Sequence, residues 1–269
     1  MATFIPGLTP PADCAAVLTF IVSPAGDLLV VSSEPLRLPE PGTVSAAPGS
    51  AATGSVFLGR LGDTACFAQW GPEAAPAGTE YRNLREVLLR LDEPLGPLAG
   101  RARQVLEWDR DHRYCGRCGT RMQDKGDERA RVCPACAHLC FPRISPAIIV
   151  GITRGDSILL CRNRRFAGVM YSIVAGFVDV GETLEQTVER EVAEEVGLRV
   201  RNIRYFGSQS WPFPSGLMLG FTAEAEPGDI RVDGDEIVEA DWYTAANLPT
   251  IPRPGSISRC IIDSLLGRG

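Results

Sequence analysis

No stretch of this 269-residue chain is apolar for long enough to cross a bilayer: runs such as residues 147–152 stop well short of the ~20 residues a spanning helix needs. The amino-terminal segment also lacks the combination of a basic start, a long apolar run and a cleavage site, so export is not expected and the chain reads as cytoplasmic. Excess positive charge is missing too. With 27 Lys and Arg against 33 Asp and Glu, the formal charge is −6, which argues against general affinity for nucleic acid but leaves room for a local basic surface near Arg162, Arg164 and Arg165. What remains is 45% hydrophobic residues with scattered charge, the composition of a soluble globular protein with one large or two modest domains.

Residues 176–198 concentrate chemistry: Glu182, Glu191, Glu194 and Glu195 gather beside a glycine-rich turn. Thr183 and Gln186 have the spacing of a capping box, and Leu184, Val188, Val192 and Val196 fall four apart, which predicts a helix over Leu184–Val196 closing at Gly197. Glu191 and Glu195 then share a face, with Glu194 close to it and Glu182 just before the first turn. Four carboxylates around one helix repel one another unless a cation sits among them, and a hard divalent metal is the natural candidate. A solvated acidic face is the plain alternative. Like charges at i,i+4 and the compact loop with glycines at 176 and 181 count against it.

Cys115, Cys118, Cys133 and Cys136 form two CxxC pairs separated by fourteen residues. Two such knuckles offer four thiolates in the closed tetrahedral arrangement of a structural zinc site, and glycines at 116 and 119 ease the turns. Disulfides would require an oxidising compartment, for which the sequence gives no support. Cys14, Cys66, Cys140, Cys161 and Cys260 are scattered singly and read as small apolar residues or idle thiols; His138 and Cys140 lie close to the ribbon, but the paired spacing favours the other four.

Along the chain, residues 15–31 read as a hairpin around 24–27, followed by a Pro, Ala, Gly and Ser-rich loop over 39–54 and apolar runs at 55–58 and 64–70. Helical periodicity covers 81–91 and 98–111. This first part, 1–110, shows no chemistry and reads as a scaffold or dimerisation unit; the ribbon spans 111–143 and a third domain 144–269. There, strands are expected at 147–153 and 157–161 around an Arg-Gly-Asp turn, then at 171–174, 200–209, 218–225 and 236–243, with a final amphipathic helix over 256–266. Residues 208–216, Ser-Gln-Ser-Trp-Pro-Phe-Pro-Ser-Gly, hold two aromatics between prolines. Such a loop either packs on itself or presents a planar platform on which a base stacks.

The acidic segment resembles the Nudix box, matched at Gly176, Glu182, Arg190, Glu191, Val192, Glu194, Glu195, Gly197 and Leu198 without departure. The resemblance implies an α/β fold: a Nudix α/β/α sandwich with a mixed sheet, here preceded by a zinc ribbon and a small mixed α/β amino-terminal domain. It also implies hydrolysis of a diphosphate linkage with Mg2+ or Mn2+, the metal screening phosphate charge and activating water. Glu191 and Glu195 are assigned as principal ligands; the resemblance adds the Ala175 carbonyl and Glu236. Glu194 either orients water or acts as base. Arg190 is expected to fix the acids by bidentate pairing.

With the ribbon, the segment at 208–216 resembles the specificity motif of NADH pyrophosphatases, the NudC-type Nudix hydrolases with a zinc ribbon. That form carries Pro where Ser210 stands and Ser where Gly216 stands, so a slightly looser turn and one lost hydrogen bond to phosphate or ribose are expected. The resemblance runs from the helix before Cys115 to the end of the chain. It implies cleavage of NADH or NAD to AMP and the nicotinamide mononucleotide, removal of 5′-NAD caps from RNA, and a homodimer. The implied substrate contacts are Gln209, Ser210, Trp211, Pro212, Phe213, Pro214, Ser215 and Gly216, with Phe141 and Phe177 bordering the base and Ser258 giving a backbone contact. Two other readings remain: a broader dinucleotide or ADP-ribose pyrophosphatase, and an RNA-binding ribbon with a degenerate hydrolase domain.

Overall fold

The apolar runs of the first unit become strands. In the computed structural model, which describes residues 2–12, 14, 16–32, 34–43, 55–165 and 168–268, these are β1 (Phe4–Pro6), β2 (Ala16–Val22), β3 (Leu28–Val31), β4 (Ser55–Leu61), β5 (Thr64–Trp70) and β6 (Thr79–Arg82). They form one sheet in the order β1-β4-β5-β2-β3-β6, antiparallel except for the parallel pair β2 and β5. The expected hairpin over 15–31 is present as β2 and β3; part of the loop expected over 39–54 lies outside the described residues. The helix expected over 81–91 is corrected. Tyr81 and Arg82 complete β6 opposite Leu29 and Leu28, leaving only the short α1 (Leu84–Val87), capped by Asn83. Ladder pairing with a buried neighbour overrides a weak local helical period. Helix α2 (Leu95–Asp111) starts three residues earlier than its periodicity suggests and buries Leu98, Ala102, Val105 and Leu106. The ribbon follows as three short antiparallel strands, β7 (Gln123–Asp124), β8 (Arg131–Val132) and β9 (Leu139–Cys140).

Two compact units divide at Met1–Arg143 and Ile144–Gly269. The second contains β10 (Ser145–Arg154), β11 (Ser157–Asn163), β12 (Val174–Phe177), α3 (Leu184–Val196), β13 (Val200–Trp211), β14 (Gly216–Ala225), β15 (Ile237–Tyr243) and α4 (Ile257–Leu265). Strand β10 runs parallel to β14 along most of its length, while its other edge is shared, antiparallel, between β12 at 147–150 and β11 at the Arg-Gly-Asp turn. Alternation along the strands then decides the layers. Ile148, Val150, Ile152, Leu159 and Cys161 face Val188, Val192 and Val196 of α3, whereas Ile149, Ile158 and Leu160 pack with Ile257, Ile261 and Ile262 of α4. The result is an α/β/α sandwich with a mixed sheet. Each fully buried valine of α3 contributes about 1.5–3 kcal/mol, enough to hold an acidic helix on the sheet.

Two strand limits differ from expectation. The strand placed at 171–174 begins only at Val174; Ser172 makes an isolated bridge to Cys161. The 208–216 segment is less loop than its prolines suggest, because β13 continues through Trp211 and pairs it with Gly216, leaving a turn over 212–215. Among the described residues no helix is long and apolar enough to cross a membrane.

Candidate active site

Helix α3 begins on a reciprocal cap. Thr183 Oγ1 accepts from the Gln186 amide at 3.2 Å and Gln186 Oε1 from the Thr183 amide at 2.9 Å, an arrangement worth about 1 kcal/mol. The helix closes at Gly197 in the left-handed conformation. Midway, Arg190 gathers the box. Its Nε and Nη2 grip Glu182 at 2.6 and 2.9 Å, Nη2 also donates to the Phe177 carbonyl at 2.9 Å, and Nη1 reaches Glu191 at 2.8 Å and Glu194 at 3.0 Å. One guanidinium therefore ties the glycine-rich loop to the helix. Glu182, held by Arg190, the Asp179 amide and the Thr187 hydroxyl, falls to a pKa of about 2.

Glu195 is treated differently. It is 5% exposed, its Oε2 has no hydrogen-bond partner, and its pKa is pushed up to about 8 by burial first and then by Glu191, Glu236, Asp233 and Glu194. Burial also raises Glu191, outweighing its bond to Arg190. Gly176 is the reason Glu191 fits. A Cβ at 176 would stand 1.9 Å from the Glu191 carboxyl carbon, so only glycine leaves that carboxylate its place against β12. Ala175, one residue earlier, sits in β12 opposite Ile149.

Glu236 arrives from the turn before β15. Its amide and those of Asp235 and Ile237 donate to the Asp233 carboxylate at 2.9–3.2 Å, while the Asp233 amide donates to the Glu195 carbonyl at 3.2 Å. Asp233 was missed by sequence reasoning, although Asp-Gly-Asp-Glu carries the signal of a side chain folding its own turn. The basic surface expected near Arg162, Arg164 and Arg165 is already engaged: Arg165 pairs with Glu236 at 2.7 Å, Arg162 with Glu239 at 2.6 Å, and Arg164 donates to the Gly234 carbonyl at 2.5 Å. A buried carboxylate oxygen without a partner, ringed by like charge, is the environment a hard divalent cation relieves, so this oxygen-donor set fits Mg2+ or Mn2+.

The aromatic segment forms the tip of the β13–β14 hairpin. Trp211 and Phe213 meet edge to face at 5.2 Å over a buried Pro212, with Pro214 exposed beside them. Ser210 pairs with Leu217 inside the ladder. A Cβ at Gly216 would lie 2.9 Å from the Trp211 carbonyl, so a serine here would shift this tip. Gln209 spends both ends of its amide on the approach to α4, donating to the Gly255 carbonyl and accepting from the Ile257 amide, both at 2.8 Å. Ser258 is buried with its hydroxyl 3.2 Å from that of Ser256, and the Ser215 hydroxyl lies 3.1 Å from that of Ser145. Phe177 exposes 59% of its surface and Phe141, in the first unit, 50%.

In the ribbon, Cys115, Cys118, Cys133 and Cys136 bring their sulfurs within 4.8 Å of one another, and three of the separations are 3.5, 3.5 and 3.7 Å. Tetrahedral ligands at a Zn–S length of ~2.3 Å stand ~3.8 Å apart, so the cage matches zinc and is far too open for disulfides. Neither His138 nor Cys140 joins it; Cys140 packs beside the cluster. The Thr120 hydroxyl and amide bring the Cys118 thiol down to about 6. Both knuckles turn alike: Gly119 N bonds to Cys115 O and Ala137 N to Cys133 O, with φ of 74° and 57°. Alanine is strained there, so Ala137→Gly should stabilise the ribbon by about 0.5–1 kcal/mol, read as a raised midpoint of thermal unfolding at unchanged zinc content.

Comparison with known families places these features together. Family profiles match residues 19–108 as an NADH pyrophosphatase-like rudimentary NUDIX domain, 110–141 as an NADH pyrophosphatase zinc ribbon domain and 142–262 as a NUDIX domain. The chain is 41% identical over 260 residues to an NAD-capped RNA hydrolase NudC of Deinococcus radiodurans, covering 95% of this chain and 93% of that one. It is 48% identical to the NudC proteins of Pseudomonas aeruginosa, over 191 residues (71% and 69% of the two chains), and of Escherichia coli, over 181 residues (67% and 70%).

Proposed function

We infer the activity from the family to which this chain belongs, the NudC-type Nudix hydrolases with an NADH-pyrophosphatase zinc ribbon. The protein hydrolyses the diphosphate bond of NADH and NAD to AMP and the nicotinamide mononucleotide, and removes 5′-NAD caps from RNA. The observation that carries this reading is the buried, partnerless Glu195 oxygen, set among Glu191, Glu194 and Glu236 in a second unit that also bears the Trp211–Phe213 tip. Mg2+ or Mn2+ bound by Glu191, Glu195, Glu236 and the Ala175 carbonyl would screen the diphosphate, polarise a phosphoryl oxygen and make water nucleophilic.

Around that ion the protein supplies placement. Arg190 locks Glu182 and the Phe177 carbonyl, which fixes the loop against the helix, while Gly176 leaves Glu191 room. Glu194 is the most exposed of the four box glutamates, 62% exposed at its side chain, and is placed to orient water or accept its proton. Trp211 and Phe213 offer ring faces and edges for a base, with Phe177 of the same unit supplying further exposed aromatic surface. Gln209 holds the hairpin against the start of α4, where the Ser258 hydroxyl sits beside that of Ser256, so their contribution to binding runs through backbone placement. Zinc in the Cys115, Cys118, Cys133 and Cys136 cage is structural. A homodimer in a reducing cytoplasm completes the proposal; the edge strand β13 exposes Tyr205 and Phe206, surface that a second copy would cover.

Incubation with NADH and Mg2+ or Mn2+ tests the activity. AMP and reduced nicotinamide mononucleotide should accumulate in equal amounts, and their absence with both metals would overturn it. Equal catalytic efficiency on ADP-ribose would instead indicate a broader dinucleotide or ADP-ribose pyrophosphatase, since nicotinamide would then add nothing to transition-state binding. Gly176→Ala forces the Glu191 carboxylate aside, and because ~1 Å of misplacement can cost about a hundredfold, kcat should fall by that order with KM changed far less.

A further inference from the structure

The first unit carries a partly open cavity of about 820 Å3 between residues 8–10, strand β4, the end of α2 and the ribbon around β7 and β8. Its charge opposes that of the chain as a whole: five cationic side chains line it against three carboxylates, on a protein of net charge −6. Lys125 is neutralised by Asp127 and Glu128, and Arg131 by Asp109 and Asp124. Arg113, Arg121 and Arg129 make no salt bridge among the described residues, and the hydrogen bonds of Arg129 go to the neutral carbonyls of Gly7 and Phe57 at 2.6 and 2.8 Å. The wall beneath them carries surplus donors. Trp108 is 8% exposed with no acceptor for its Nε1–H, and the buried Arg131 Nε–H has none either.

The half-buried charge of Arg129 and the orphaned N–H groups of Trp108 and Arg131 are costly to fold around, and an anion in the cavity offsets that cost. The forks of Arg113 and Arg121, with the N–H groups Arg129 has left beyond its bonds to Gly7 and Phe57, match phosphoryl oxygens better than any neutral ligand. The volume lies within the ~300–1,000 Å3 of small-molecule sites, room for a phosphate with a nucleoside attached. We propose that this cavity is an anion-binding site for a phosphate-bearing ligand of mononucleotide size. Every residue of it belongs to the first unit, and none to the carboxylate site. The proposal stands independently of the hydrolase reading.

Calorimetric titration of the full zinc-loaded chain with AMP, and separately with a 5′-monophosphorylated RNA pentamer, tests it. Both arms compare the native protein with Arg113→Ala/Arg121→Ala, exposed positions whose replacement should leave zinc content and NADH turnover unchanged. The expected result is an AMP site weakened about tenfold or more in the double variant, with any binding at the carboxylate site retained. Parallel weakening of the pentamer identifies an RNA phosphate as a source, and weakening of AMP alone identifies the free nucleotide. Identical AMP stoichiometry and affinity in the two proteins would overturn the proposal, whatever the turnover of NADH.

Discussion

Replacing Glu195 with Gln should lower kcat/KM for NADH by at least about a hundredfold while making the metal-free protein more stable in alkaline solution. Both effects come from one buried carboxylate. Glu195 titrates near 8 in the folded chain against an ordinary 4.5, because burial and the neighbouring acids disfavour its charge. The folded state therefore keeps a proton that the unfolded chain has released. Its stabilising share is fully present below about 4.5 and is lost as pH rises through about 8, a few kcal/mol in all. Glutamine carries no such penalty. With zinc retained and Mg2+ and Mn2+ withheld, the melting temperature of the native protein should fall between pH 5 and pH 9, and that of Glu195→Gln should fall less. If the variant were the less stable protein at pH 9, the strain assigned to this group would be wrong.

Cys133→Ser removes a sulfur that is 1% exposed, stands in the four-cysteine cage and packs with Met122. Structural zinc binding is worth ~10–16 kcal/mol in zinc-finger peptides at neutral pH, and that binding free energy is folding free energy. The variant should purify with little zinc, and a loss of even ~3–5 kcal/mol would lower the melting temperature by roughly 10 °C. NADH turnover should fall indirectly through instability. Unchanged zinc stoichiometry would refute this ligand.

The acidic helix was legible from its first cap to its last glycine because every local signal agreed. Capping box, apolar spacing and terminal Gly197 each specify the same limits, and those limits are found. The ribbon was legible from its cysteine spacing, and the sandwich from the family resemblance, which the order of strands and helices fits. What stayed hidden is which strands and turns would find partners. Tyr81 and Arg82 joined a strand because β3 offered a partner far away in sequence, and Trp211 extended β13 because Gly216 pairs with it. The role of Arg190 at the centre of four carbonyl and carboxylate groups was anticipated by charge alone, whereas the turn organised by Asp233 was passed over although Asp-Gly-Asp-Glu carries its signal. Gln209 shows the limit most plainly. Its amide donates to the Gly255 carbonyl and accepts from the Ile257 amide, partners more than forty residues away that the sequence does not display.

Product analysis on NAD-capped RNA tests the central claim most directly. With Mg2+ or Mn2+, the native protein should release nicotinamide mononucleotide and leave a 5′-monophosphate RNA end, and Glu195→Gln should leave the cap intact over the same interval. Failure of the native protein to release the mononucleotide with either metal, or equal release by the variant, would contradict it.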